Sequence, residues 1–279
     1  MTRMPAALGR RRLAALLLLA VLGAAIAGPA AASATDYTVD PATITAQESS
    51  MVSLLNADRT ALGLVPVRVD SRLMAIARAR SADMVANNYF SHTQPDGRNV
   101  FDIITASRIT WYSAGEIIAW NNYPMDSTTS TANRQWMDSP GHKAIIISTN
   151  FNYVGVGLAV DPATGKKLWT AVYLKGPDRT GARATLAKPT VGTGSTSTTQ
   201  RVYLSWSGAD VRLQVLTAGL RSFVIQRQID GGVWNTIAST TYRSYSLAIS
   251  KGHLNQFRVA ATDRAGNRGA WSMVTVDLR

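Results

Sequence analysis

The chain has 279 residues, with three histidines, two glutamates and no cysteine, which excludes disulfides, zinc–thiolate sites and thiol nucleophiles. Its net charge of +12 is unevenly placed: residues 35–176 hold twelve basic and twelve acidic side chains, and residues 201–279 hold ten basic and four acidic. A basic segment behind a neutral one suits anionic envelope polymers or lipid head groups better than nucleic acid.

Residues 1–34 read as a secretory signal, with Arg3, Arg10, Arg11 and Arg12 ahead of an apolar run from Leu13 and small residues at Ala30, Ala32 and Ala34. The run is short for a membrane span and nothing after it is longer, so the mature chain is expected near Thr35, outside the cytoplasm, with no span. "ESSMVSLLNADRTALGL" predicts a helix with Met51, Leu55 and Leu62 on one stripe, stopped at Gly63. "DSRLMAIARARSADMVANN" predicts a second, N-capped by Asp70, with Leu73, Ile76, Ala77, Arg80 and Met84 at helical spacing. "NVFDIITASRI" and "STANRQWM" are shorter helical candidates. "NYVGVGLAV" and "KLWTAVYLKG" read as two strands joined by a turn. Together they predict an α+β segment over 45–176, a sheet with helices on each face.

Residues 177–200 are rich in Gly, Pro, Ser and Thr and read as a linker. Residues 201–279 carry six short alternating runs, from "RVYLSWSG" to "AWSMVTVDL", and predict a small all-β sandwich. Trp206 and Trp234 are expected as its core anchors.

Three ionisable residues of the first segment stand beside Gly or Pro: His92 in "YFSHTQPDG", Glu116 in "SAGEIIAW" and His142 in "SPGHKAII". Chain departures of this kind can aim side chains into a cleft. Two imidazoles and a carboxylate can hold a divalent cation such as Zn²⁺ with an open position, or act as a general acid/base pair. Taken singly, each histidine reads more readily as a capping or packing residue. His253, beside a Lys-Gly turn, reads as an exposed loop residue.

The ordered blocks "LLNADRTALGLVPVRVDSRLMAIARARSADM", "YFSHTQPDG", "AGEIIAW", "WMDSPGHKAII" and "YVGVGLAV…LWTAVY" resemble the CAP superfamily of cysteine-rich secretory, antigen 5 and pathogenesis-related 1 proteins, in its bacterial cysteine-free branch. The resemblance implies an α-β-α sandwich and a central cleft lined by two histidines and two glutamates, where some members bind zinc or another divalent cation. His92, Glu116 and His142 match three of those four positions. The fourth falls on Ser139; Asp138 is one position early, about 100° round a helix, and is a doubtful substitute. Ile117 stands where the family usually has Asn. On strand rhythm, an early Trp and "ATDRAGN" before the last strand, residues 201–279 resemble a fibronectin type III-like module.

The resulting expectation is a secreted, envelope-associated protein binding a lipid, glycan or peptide in a His/Glu-lined cleft, held there by the basic β module. The alternatives are a metal-assisted hydrolase using His92, Glu116 and His142, and a structural or adhesion protein with an inert polar cleft. Binding is favoured over catalysis because no nucleophile–base pair is present. The oligomeric state is left open.

Overall fold

A computed structural model describes residues 37–192 and 196–279; the expected signal segment and positions 193–195 of the expected linker lie outside them. Helix α1 (Pro41–Ala61) starts seven residues before Glu48, where the expected helical stretch opens. Pro41 occupies its first turn, and the Asp40 carboxylate caps it by accepting from the Ala42 N–H at 3.0 Å. Gly63, at φ 72°, ends it as expected. Met51 and Leu55 are buried, but Leu62 is an exposed C-cap rather than part of the stripe.

The remaining elements of the first module are β1 (Arg68–Val69), α2 (Ser71–Ala86), α3 (Val100–Ala106), β2 (Ser113–Asn121), α4 (Thr128–Asp138), α5 (Pro140–Ile146), β3 (Tyr153–Val160) and β4 (Lys167–Lys175). Asp70 caps α2 through the Arg72 N–H, and Asn99 with Asp102 forms a capping box on α3. The sheet order is β1-β3-β4-β2, antiparallel except for the β1–β3 pair.

Strand β4 is buried on both faces. Trp169, Ala171 and Tyr173 pack with Met51, Leu55 and Trp136, whereas Val172 and Leu174 pack with Leu73, Ile76 and Ile104. Period-two alternation therefore divides one strand between two cores, one under α1, α4 and α5, the other under α2 and α3. The result is three layers, helix–sheet–helix.

Gly155 and Gly157 of β3 bring α2 unusually close. A Cβ at Gly155 would fall 2.1 Å from the Leu73 carbonyl carbon, and one at Gly157 would fall 2.2 Å from that of Ala77. Bare backbone on alternate residues of one strand is what lets the helix lie on the sheet.

The β module comprises β5 (Arg183–Leu186), β6 (Thr190–Gly192), β7 (Thr199–Ala209), β8 (Leu220–Ile229), β9 (Asn235–Thr240), β10 (Ser244–Ser250), β11 (Leu254–Asp263) and β12 (Ser272–Asp277). They form two antiparallel sheets, β10-β7-β5 with β6 also on β7, and β12-β11-β8-β9. The expected linker is therefore corrected. Residues 183–186 and 190–192 are strands, and Ala182 and Leu186 are buried in the sandwich core. The strands were hidden because Gly, Thr and Ala side chains carry little hydropathy alternation even when their backbone pairs.

Trp206 is a core residue and meets Phe223 edge-on at 5.7 Å. Trp234 is not in the core: Arg258 lies 4.2 Å over its ring and 4.3 Å over that of Trp271. The β7–β8 loop returns to the first module. Leu213 is buried among Leu73 and Ile76, and the Gln214 side-chain carbonyl accepts from the Val65 N–H at 2.7 Å. Among the described residues, no helix is long and apolar enough to cross a membrane.

Candidate functional site

Strand β2 is an edge of the central sheet, and the three site residues expected from the sequence gather along it. Glu116 is the fourth residue of β2, not a residue leaving an element as its Gly neighbour suggested. It is nearly buried, and its side chain faces α2. There Arg80, fully buried, donates from Nε to Oε1 at 3.0 Å. His92 lies in the loop after α2, and its Nδ1 is 2.8 Å from Glu116 Oε2. A carboxylate only accepts, so Nδ1 donates and Nε2 is the ring nitrogen left without that partner.

Arg80 organises this corner. Nη1 donates to Tyr89 Oη at 2.7 Å, and Nη2 donates to the Ser91 and His92 carbonyls at 2.9 and 3.2 Å. Burial opposes the guanidinium charge, but the Glu116 hydrogen bond and charge outweigh it and leave the Arg80 pKa raised. Tyr89 donates in turn to Asp83, and burial followed by that hydrogen bond pushes its pKa up to about 12. The result is a continuous chain of side chains, Asp83–Tyr89–Arg80–Glu116–His92. Arg80 was legible only as one more residue at helical spacing. A charged residue on an otherwise apolar helical face was the available signal for a buried partner.

His142 reaches the cleft from the opposite side. Ser139 both ends α4 and starts α5, with extended φ −93°, ψ 115°, because the following Pro140 disfavours helical geometry. The break redirects the chain, and His142 becomes the third residue of α5. It makes no hydrogen bond to a described residue. Burial, and then proximity to His92, lower its pKa from the ordinary 6.5.

Two hollows lie along β2. One, of about 280 Å³, is lined by His92, Val100, Phe101, Gly115, Glu116 and Ile145. The other, of about 220 Å³, is lined by Phe90, Ile118, Trp120, Trp136, Ser139 and His142. Ser139 lines the cleft and Asp138 does not. Phe90, Phe101 and Trp120 are exposed along it, and the buried Trp136 indole N–H has no acceptor among the described residues.

The three expected ligands are not gathered into one compact set. No group of three described His, Asp or Glu residues that includes His92, Glu116 or His142 brings its ligand atoms within 4.8 Å of one another. Glu116 is also held by a guanidinium, whose positive charge disfavours a cation beside it. The group that does meet this distance is Asp178, Asp210 and Asp263, at the joint with the β module. Each already accepts backbone N–H groups, from Ala218, Gly219 and Asn267 respectively. The second glutamate, Glu48, is distant in role: it accepts from Arg78 and the Leu158 N–H, tying α1 to α2 and β3.

The His142 environment has a measurable consequence. An unfolded histidine titrates near its ordinary 6.5, so just below that pH the unfolded chain binds more protons than the folded one. His142 therefore subtracts stability as the pH falls through 6.5 toward its folded pKa. In an NMR titration its midpoint is expected below 6.5 and should rise in His92→Ala; a midpoint at or above 6.5 in the intact protein contradicts this geometry.

Residues 52–173 match the family model of CAP, the cysteine-rich secretory protein family. The chain is similar to the uncharacterised protein YkwD of Bacillus subtilis (strain 168), at 35% identity over 147 residues, covering 52% of this chain and 54% of that one. It is also similar to the uncharacterised membrane protein YlbC of the same organism, at 28% over 131 residues, covering 47% and 35%. The chain thus spans about half, or less, of these curated relatives. Solved structures with likeness to it include an outer surface protein from Borrelia burgdorferi, at 18% identity and TM-score 0.44 over 50% of this chain and 98% of that one. Another is an extracellular protein containing an SCP domain from Bacillus anthracis, at 25% identity and TM-score 0.43, covering 50% and 44%.

Proposed function

We propose that the first module binds an envelope ligand (a lipid, glycan or peptide) in the cleft along β2, in a secreted protein whose basic, fibronectin type III-like module keeps it at that surface. The observation that carries this is the lining of the two hollows: exposed Phe101 stands with His92 and Glu116 in one, and exposed Phe90 and Trp120 stand with Ser139 and His142 in the other. Apolar walls around a few fixed polar groups are the general form of a binding site. His92 Nε2 offers an acceptor, and the Arg80–Glu116 pair fixes its orientation without being spent on the ligand.

Catalysis is less well supported. The His92–Glu116 pair resembles an oriented base, but His92, Glu116 and His142 do not come together as a compact ligand set, and no nucleophile among the described residues is bonded to either imidazole. Soluble peptidoglycan fragments, and separately phosphatidylglycerol vesicles, should be added to the full chain while the His92 and His142 imidazole signals are followed by NMR. Binding predicts that one probe moves both signals and is recovered intact. Shortened fragments would favour a hydrolase, and silence with both probes would leave an inert polar cleft.

A further inference from the structure

The outer face of the β10-β7-β5 sheet carries a third hollow, of about 550 Å³, away from β2 and its histidines. Lys188, Thr190, Tyr203, Ser205, Tyr242 and Ser244 are among the residues lining it. Strand register explains the grouping. On β7, Val202, Leu204 and Trp206 point into the sandwich core, so Arg201, Tyr203 and Ser205 share the opposite face. Across the strand pair, Ser246 stands opposite Tyr203 and Ser244 opposite Ser205, which adds a row of hydroxyls to that face.

Thr190 of β6 pairs with Tyr203 from the other side. Gly192, two residues on, makes room for the ring: a Cβ there would fall 2.5 Å from Tyr203 Cε2. The Tyr203 ring therefore lies against the sheet as a platform, 44% exposed, while Tyr242 in the β9–β10 turn is 77% exposed.

The stretches that supply this hollow carry basic side chains and no acidic ones. No Asp or Glu occurs between Asp178 and Asp210, or between Asp230 and Asp263, the two stretches that supply every residue of the hollow. The same stretches supply Lys188, Arg201 and Arg243. Flat aromatic rings offer apolar faces with polar tips, and hydroxyl rows can both donate and accept, a combination complementary to a pyranose with its C–H faces and hydroxyl edges. Unopposed cations add selectivity for acidic groups. We infer that this face binds an anionic polysaccharide chain, stacked on Tyr203 and Tyr242 with its acidic groups toward Lys188 and Arg243. This site goes beyond the cleft and does not depend on it.

The test uses the full chain with three probes: polygalacturonate, which has charge and pyranose rings; dextran, which has rings without charge; and polyphosphate, which has charge without rings. Calorimetry should show polygalacturonate bound more tightly than either of the others. Tyr203→Ala and Tyr242→Ala should each weaken it about fivefold or more, and Tyr242→Ala, which replaces a side chain 77% exposed in a turn, should do so with thermal melting unchanged. Lys188→Ala should weaken it and flatten its salt dependence. NMR signals of Tyr203 and Tyr242 should move on binding. The inference is overturned if polyphosphate binds as well as polygalacturonate, if dextran does, if the tyrosine variants bind normally, or if only His92 and His142 respond.

Discussion

Arg80→Met is expected to destabilise the chain by about 3–5 kcal/mol, the range found when one partner of a buried ion pair is removed. Arg80 is fully buried, and its loss leaves Glu116 without its cation and the Ser91 and His92 carbonyls without their donor. Arg80→Lys should not rescue it, because one ammonium cannot reproduce a planar fork serving Glu116, Tyr89 and two carbonyls. The double variant Arg80→Met with Glu116→Leu should recover much of the loss, since an apolar pair removes both buried charges together. Denaturant unfolding of the two singles and the double measures the coupling. Additive losses, with no recovery in the double, would contradict the pairing. Because Arg80 also fixes the carbonyls around His92, cleft binding should fall even where Arg80→Met still folds.

Gly155→Ala should cost about 3 kcal/mol or more, at or above the usual range for overpacking. The added methyl would meet Leu73 and Met74 backbone atoms at 2.1–2.4 Å, and backbone cannot rotate away as a side chain can. Helix α2 must retreat from β3, and Arg80, two turns along it, must lose its grip on Glu116. Cleft binding and stability should therefore fall together. Gly141→Ala is the comparison, because a Cβ there meets nothing within 4 Å and the residue is helical. It should be neutral or stabilise by about 0.5 kcal/mol. Equal losses at both glycines, read by denaturant unfolding, would show that close approach is not what Gly155 provides.

Much of the first module was legible in local pattern. Asp70, Leu73, Ile76 and Met84 mark α2 by cap and spacing, and all are buried or capping where the period puts them. The strand "KLWTAVYLKG" is also where its apolar run places it. Strand β2 was harder. Its run is short and begins with Ser-Ala-Gly, and the position of Glu116 within it depends on pairing with Val172, far along the chain. The strands at 183–186 and 190–192 escaped for the same reason: their evidence is their partner, β7.

The sequence by itself narrowed the histidines and glutamates open to a cleft, because only three and two of them exist, and it determined the helices and strands whose periodicity is strong. Only the tertiary structure decided how the candidates are used. It turned Glu48 into a tie between helices, gave Glu116 to Arg80 and His92, left His142 without a hydrogen bond to a described residue, and placed Ser139 rather than Asp138 in the lining. The physical reason is that periodicity records which face of an element is buried, whereas a polar side chain's role depends on the group opposite it, and that group comes from a distant part of the chain.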